Sequence, residues 1–242
     1  MKVATEDIFF EVSNLTKKLG DTVVLDNLSF RIPQGSIVGF LGQNGAGKTT
    51  TLKVLANIIP KDSGILKFNG KAHTQKDKGE IMFLPDTPLV YSVLTGKEYL
   101  SFMSELLQHD ASKYSYYTKK LCIEDALDKK ISEYSLGMKK KISLIPLLLK
   151  RPKLLLLDEY FSGIDPISMR DIKIVLNEYI IGGNSVLLST HQLDAAQSTC
   201  DFIIVIDKGK IHKPVISMEE ILGNENSVED YFINSITNIE ES

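Results

Sequence analysis

Residues 42–50 read Gly42-Gln43-Asn44-Gly45-Ala46-Gly47-Lys48-Thr49-Thr50 and fit the spacing G-x-x-x-x-G-K-[ST] at Gly42, Gly47, Lys48 and Thr49. Glycines let the backbone turn tightly and bring N–H groups close to phosphate oxygens. Lys48 supplies a point charge able to reach β- and γ-phosphates. The Thr49 hydroxyl can ligate Mg²⁺. The flanks agree with this reading. Residues 36–41 (SIVGFL) form a short apolar run of buried-strand type, and residues 50–58 predict a helix whose N-terminus faces the phosphates. A Gly-rich turn could match the spacing by itself; strand before and helix after are what make it a nucleotide phosphate binder.

The chain has 242 residues, 43% hydrophobic and 24% charged, which suits a globular protein with a substantial core. A net charge of −3 argues against a general nucleic-acid surface. Cys122 and Cys200 lie far apart without metal-like spacing and read as reduced thiols of a cytosolic protein. The first residues, MKVATEDIFFEVSNLTKK, include acidic residues and lack an apolar stretch of signal-peptide length. No segment approaches the ~18–20 uninterrupted apolar residues of a membrane span, so work at a membrane needs a separate partner.

Residues 8–12 and 22–32 alternate as strands around a turn at residues 18–21, and residues 60–64 (PKDSG) break the chain after the helix. Residues 65–68 and 81–84 predict short strands, with a polar loop over 73–80. From Thr95 the period changes. Thr95-x-x-Glu98 is a capping box, and Tyr99, Phe102, Met103 and Leu106 recur at helical spacing, an aromatic stripe expected to pack in a core. The chain then reads as mainly helical to Pro152, with a polar, Lys- and Tyr-rich connection over 110–120. Residues 154–157, 185–188 and 202–206 are buried-type strands, with a helix over 167–179. This alternation implies a largely parallel sheet. Residues 207–210 (DKGK) predict a hairpin turn, and the tail from Ser217 shows two short amphipathic helices and an acidic end.

The strand at 154–157 delivers Asp158 and Glu159 at its C-terminal end, where ligands sit in a parallel α/β sheet. Asp158 suits a Mg²⁺ contact and Glu159 can polarise a water. A strand followed by an acidic helix cap reads the same way. His191, taken alone, reads as a core histidine. His73, His109 and His212 match no motif and are expected at the surface. The run Lys139-Lys140-Lys141 reads as a solvated helix face, with a contribution to a facing subunit's nucleotide as the weaker hypothesis.

The order of the remaining motifs carries a resemblance. Tyr134-Ser135-Leu136-Gly137-Met138 opens an apolar helix, Ser162-Gly163-Ile164-Asp165 follows Glu159, and Ser189-Thr190-His191 closes the next strand. With the phosphate loop, this set resembles the nucleotide-binding domain of ATP-binding cassette (ABC) transporters, and most of all the ATPase subunits of bacitracin, lantibiotic and multidrug exporters. The resemblance covers roughly residues 8–216. It implies an α/β P-loop NTPase fold: a mixed, largely parallel core with an N-terminal antiparallel β subdomain (1–90 and 152–216), a helical subdomain inserted at 91–151, and a tail at 217–242.

The resemblance also assigns roles. Residues 42–49 become the Walker A loop binding ATP. Asp158 ends Walker B. Glu159 is the catalytic glutamate, His191 the switch histidine, and Lys48 the third catalytic group. Thr49, Asp158 and Asp86 become Mg²⁺ contacts. Ser135 and Gly137 match the signature that caps ATP on a second copy of the subunit, and Asp165 matches the loop that communicates across that homodimer. A separate transmembrane permease is the implied partner, placing the subunit in the cytoplasm against the inner face of the membrane. The run Leu89, Val90, Tyr91, Val93 and Leu94 reads equally as its docking surface or as buried core. The alternatives are a non-transport ABC ATPase acting on nucleic acid or ribosomes, and an unrelated P-loop kinase.

Three departures from the family pattern carry expectations. Leu19 stands where an aromatic residue stacks on adenine; the loss of stacking, about 1–3 kcal/mol per base, predicts weak adenine discrimination. Asp86 stands where a glutamine is usual. Pro146 lies within the helix after the signature and is expected to kink it near Ile142.

Overall fold

A computed structural model describes residues 8–74, 79–110 and 113–237. Two sheets share the molecule. The first is antiparallel, in the order β2-β1-β4-β5: β1 (Ile8–Leu19), β2 (Thr22–Pro33), β4 (Ser63–Phe68) and β5 (Lys71–Ala72). The second runs β10-β9-β3-β8-β7-β6, comprising β3 (Ile37–Leu41), β6 (Ile81–Leu84), β7 (Leu154–Asp158), β8 (Ser185–Thr190), β9 (Phe202–Asp207) and β10 (Lys210–Ile211). The five strands from β9 to β6 are parallel; β10 and β11 (Ile216–Ser217) pair antiparallel with β9. The fold is the expected α/β P-loop NTPase class with mixed sheets.

Strand period 2 divides the core. On β7, Leu155 and Leu157 pack among α2 (Gly96–Leu107), α4 (Leu136–Lys150) and α5 (Pro166–Ile181); Leu154 and Leu156 point to the opposite face, against the antiparallel sheet and α1 (Lys48–Leu55). β3 does the same, with Ile37 and Leu41 on one side and Val38 and Phe40 on the other. Each such side chain is fully buried and contributes about 1.5–3 kcal/mol relative to exposure. A continuous apolar run, rather than alternation, is therefore what a doubly covered strand requires.

Several elements differ from the sequence expectation. β1 continues seven residues past Val12. Its pairing with β2 slips between Val12 and Leu15 and again between Leu15 and Lys17, with Asn14 at φ 53°, so the alternation is broken while the ladder persists. α1 starts at Lys48 and stops at Leu55; Asn57 enters the left-handed region, and the Ile58 N–H bonds the Lys53 carbonyl. The polar stretch expected as a connection holds a helix, α3 (Tyr114–Lys120). As expected, the buried Pro146 lies inside the helix after the signature, α4, which runs on to Lys150. The capping box at Thr95 is present, with Thr95 Oγ1 accepting from the Glu98 N–H and Glu98 accepting from the Thr95 N–H at 2.7 Å. The aromatic stripe it starts is split: Tyr99 is buried, whereas Phe102 and Leu106 are exposed.

The hairpin at residues 207–210 joins β9 to β10 with Lys208 and Gly209 both at positive φ, as a type I′ turn demands. The tail forms α7 (Met218–Asn224) and α8 (Val228–Thr237); the acidic end, part of the polar 73–80 loop and residues 1–7 lie outside the described residues. Cys122 and Cys200 are both free. Of the histidines, His212 is exposed, but His73 and His109 are half-buried: His73 lies beside the rings of Phe10 and Phe68, and burial pushes the His109 imidazole pKa down. No helix among the described residues is long and apolar enough to cross a membrane.

Candidate active site

β3, β8 and β7 lie side by side, and their C-terminal ends fall level: Leu41 pairs with Thr190, and Ser189 with Asp158. The phosphate loop leaves the first strand, His191 follows the second and Glu159 follows the third. This is the crevice outside the carboxyl ends of parallel strands where ligands bind.

Gly47 precedes α1 at φ 105°, and a Cβ there would lie 2.8 Å from the Leu25 side chain, so only glycine fits. No side chain caps α1, which leaves its first N–H groups to face a ligand. A cleft of about 260 Å³ opens over this end, lined by Val24, Gln43, Asn44, Gly45, Gly47, Lys48, Thr49, Thr50 and Glu159.

Lys48 is buried, and three oxygen partners surround its ammonium. Its Nζ donates to the carbonyls of Gly42 (2.7 Å) and Gln43 (3.2 Å) and pairs with Glu159 Oε1 at 3.1 Å. Glu159 Oε2 lies 2.8 Å from His191 Nδ1 and accepts the His191 backbone N–H at 3.3 Å. The expected catalytic trio is thus one connected cluster, with the Glu159 carboxylate holding the lysine beside the phosphate loop. Glu159 itself adopts φ 45°, and its N–H is shared between the carbonyl and hydroxyl oxygens of Ser189.

Asp158 is buried and accepts hydroxyl protons from Ser189 (2.5 Å) and Thr49 (2.8 Å). Thr49 and Asp158 together offer hard oxygen donors at the edge of the cleft. Among the described residues no group of three or more His, Cys, Asp or Glu side chains could cage a metal ion. That combination fits Mg²⁺, which uses few protein ligands and completes its shell with water and substrate phosphate.

The other predicted residues lie outside the cleft lining. Leu19 is half exposed on the β1–β2 turn, and Val24 borders the loop instead. Ser135 is exposed and N-caps α4, accepting the Met138 N–H at 3.2 Å. Gly137 presses on the start of α5: a Cβ there would meet Ser168 Oγ at 2.6 Å and Asp165 Oδ2 at 3.0 Å. Asp165 N-caps α5 through the Ser168 N–H, and that bond holds its carboxyl below the usual range. Asp86 turns its carboxylate to Lys140 at 3.5 Å, whereas Thr49 and Asp158 bond each other.

The lysine run is not a solvated face. Lys140 is fully buried, and Lys141 forms a buried ion pair with Asp171 at 2.8 Å. Neither ammonium is available to a facing nucleotide, which removes the weaker hypothesis for those two residues. Sequence reasoning quoted Ser189 in a motif without foreseeing that its hydroxyl orients Asp158, and it missed Val24. The Ser-Thr pair before His191 was the available signal for the first; nothing in the β2 pattern singles out the second.

The family model described as ABC transporter matches residues 25–162. An uncharacterized ABC transporter ATP-binding protein of Methanocaldococcus jannaschii is 37% identical over 204 residues, spanning 83% of this chain and 74% of its own. The lantibiotic transport ATP-binding protein SrtF of Streptococcus pyogenes is 30% identical over 226 residues, covering 93% and 96% of the two chains. Among solved structures, an ATP binding subunit of an ABC transporter superposes with a TM-score of 0.82 at 26% identity, covering 93% of this chain and 98% of that one. In fold, the chain is also similar to cbiO1 of Clostridium perfringens, part of the complex cbiONQ (TM-score 0.79, 24% identity, 97% and 98% coverage).

Proposed function

Since the chain belongs to the ABC transporter ATP-binding family, whose members bind and hydrolyse ATP, we propose that it drives a separate membrane permease by ATP-dependent closure of a homodimer. One observation carries the dimer. The cleft is lined from the phosphate-loop side, while Ser135 lies exposed outside it, on the molecular surface where a second copy can be met. On this reading the Ser135 hydroxyl and the N-terminus of α4 of one copy close over the γ-phosphate held by residues 42–50 of the other. Residues 1–90 and 152–216 are the ATP-binding core, 91–151 the arm that carries the signature, and 217–242 a tail.

ATP enters by displacing Glu159 from Lys48, so that the ammonium turns to the γ-phosphate. The freed Glu159 carboxylate takes a proton from the attacking water, and His191 holds the γ-phosphate side of the site. Thr49 and Asp158 would hold Mg²⁺, which neutralises charge on the β- and γ-phosphates. Hydrolysis reopens the dimer.

The exposed side chains of Leu89, Tyr91 and Val93 support a docking role for the segment after Asp86. Their exposure runs from 53% to 77%, and the Tyr91 ring meets the exposed Phe102 edge-on at 5.3 Å. Val90 and Leu94 pack inward. An apolar patch of this kind suits a cytoplasmic helix of the permease, and on this reading the subunit works at the inner face of the membrane. Similarity to a lantibiotic transport ATP-binding protein supports export. The tagged chain should co-purify from membranes with a polytopic protein. Changing Leu89 and Val93 together to aspartate should abolish that recovery while shifting stability by no more than about 0.5 kcal/mol, as for exposed sites. Recovery with ribosomes or nucleic acid instead would sink the transport reading.

Base selectivity gives a further expectation. Neither the half-exposed Leu19 on the β1–β2 turn nor Val24, which borders the loop, offers a π-face, so phosphate recognition carries most of the nucleotide affinity. GTP should compete with ATP and support comparable turnover. Turnover with ATP alone, at saturating concentrations of each, would refute this.

A further inference from the structure

Lys140 is the most completely buried charged side chain among the described residues. Burying an ammonium is costly unless every donor is met. Three acceptors surround its Nζ: the Ser162 carbonyl at 2.9 Å, the Glu159 carbonyl at 3.2 Å and Asp86 Oδ1 at 3.5 Å. The face of Tyr160 lies 5.6 Å away, and the Tyr160 hydroxyl donates to the Lys140 carbonyl. Burial pulls this lysine's pKa down, while Asp86 and Glu159 pull it back up.

The two carbonyls are the ends of one turn. The Ser162 N–H already donates to the Glu159 carbonyl at 3.0 Å, so the ammonium closes residues 159–162 from the other side. Within that turn Glu159 sits at φ 45°, a conformation that an L-residue keeps only when its surroundings impose it. The third acceptor belongs to a different element. Asp86 follows β6 and precedes the exposed apolar segment at residues 89–93. One cation on the helix opened by Ser135 therefore touches both the turn that aims Glu159 and the segment read as the permease contact.

We propose that Lys140 is a positioning residue: its buried ammonium fixes the 159–162 turn with the Glu159 carboxylate toward the phosphate loop, and its link to Asp86 couples that geometry to the position of the docking segment. The proposal rests on the reading of Glu159 as the base. When a partner moves Asp86, Lys140 loses or regains its third acceptor, and the turn carrying Glu159 responds.

The test uses the full chain, measuring kcat for phosphate release, Kd for a non-hydrolysable ATP analogue and the melting temperature. Lys140→Met keeps an unbranched apolar stem as far as the ε position and removes the ammonium with all its donors. It should lower kcat on the order of 10- to 100-fold, the scale of a misplaced catalytic group, with Kd for the analogue within about twofold of wild type. Lys140→Gln retains amide donors for the two carbonyls and should recover much of that kcat. Asp86→Asn should lower kcat in the wild-type background but add nothing in Lys140→Met. Wild-type kcat in Lys140→Met overturns the proposal, as does additivity of the two changes or a kcat loss fully explained by loss of folded protein. If Lys140→Met does not fold, Lys140→Gln decides: additivity with Asp86→Asn in that variant also overturns it. Glu159→Gln separates this from the underlying reading, because full hydrolysis by that variant removes the base itself, whereas an inactive Glu159→Gln beside a normal Lys140→Met removes only the positioning role.

Discussion

Glu159→Gln should lower ATP turnover by about 10²–10⁴-fold, the usual contribution of a positioned general base, while nucleotide still binds. The amide keeps the shape of the side chain and cannot take a proton from water. It also removes a negative charge that sits 3.1 Å from the Lys48 ammonium. In the free protein that carboxylate occupies the lysine that the γ-phosphate needs. Neutralising it removes an internal competitor, so the affinity for a non-hydrolysable ATP analogue should rise, and with it the fraction of nucleotide-bound dimer. Phosphate release and equilibrium binding measure the two halves separately. Full hydrolysis by the variant would refute Glu159 as base; unchanged or weaker analogue binding would refute its competition for Lys48.

The largest effect on stability is expected at Asp171. Asp171 and Lys141 are both almost wholly buried, 2.8 Å apart between α5 and α4, and Arg170 approaches the other carboxylate oxygen at 3.1 Å from the solvent side. Asp171→Ala leaves Lys141 charged and unpaired in the core, which costs about 3–5 kcal/mol. For a chain of this size each kcal/mol shifts the melting temperature by about 2–4 °C, so a fall of ~6–20 °C follows. The double variant Asp171→Ala, Lys141→Met should recover most of it, because the penalty lies in the orphaned charge rather than in the lost attraction. A thermal melt in which the single variant loses less than about 1 kcal/mol would sink this account.

That Lys48, Glu159 and His191 come together at one candidate site was legible because the proposed chemistry demands particular residues at short spacing. A glycine at Gly47, a lysine after it and an acid pair at the end of an apolar strand are each imposed by local geometry, and the strands that deliver them announce themselves by continuous burial. The lysine run was illegible for the opposite reason. Three consecutive lysines look solvated by composition, and only the tertiary arrangement supplies Asp171 to one and a cage of carbonyls to the next. α3 was missed because its inward positions, Tyr114, Tyr117 and Thr118, carry polar tips and lie among lysines and a serine, so the helical period that packs them beside Leu121 does not stand out as apolar. The extension of β1 was hidden by slips that put successive side chains on unexpected faces. Leu89 and Leu94 look alike in sequence, yet one is exposed and the other packs on the core, a distinction set by neighbours far along the chain.

The pairing of β3 sets the order in which this molecule can be made. Its two neighbours in the sheet are β8 and β9, through Ile37–Val186 and Val38–Phe202. β1 and β2, by contrast, join across a short turn and can form as soon as they are synthesised. A ribosome that has released the phosphate loop must translate well over a hundred further residues before the strand in front of it acquires its first ladder partner. Contacts this distant in sequence form slowly, since loop closure precedes any gain from pairing. Nascent chains shorter than residue 186 therefore carry the complete phosphate-binding motif without the sheet that frames it, and competence to hold nucleotide should appear late and abruptly during synthesis.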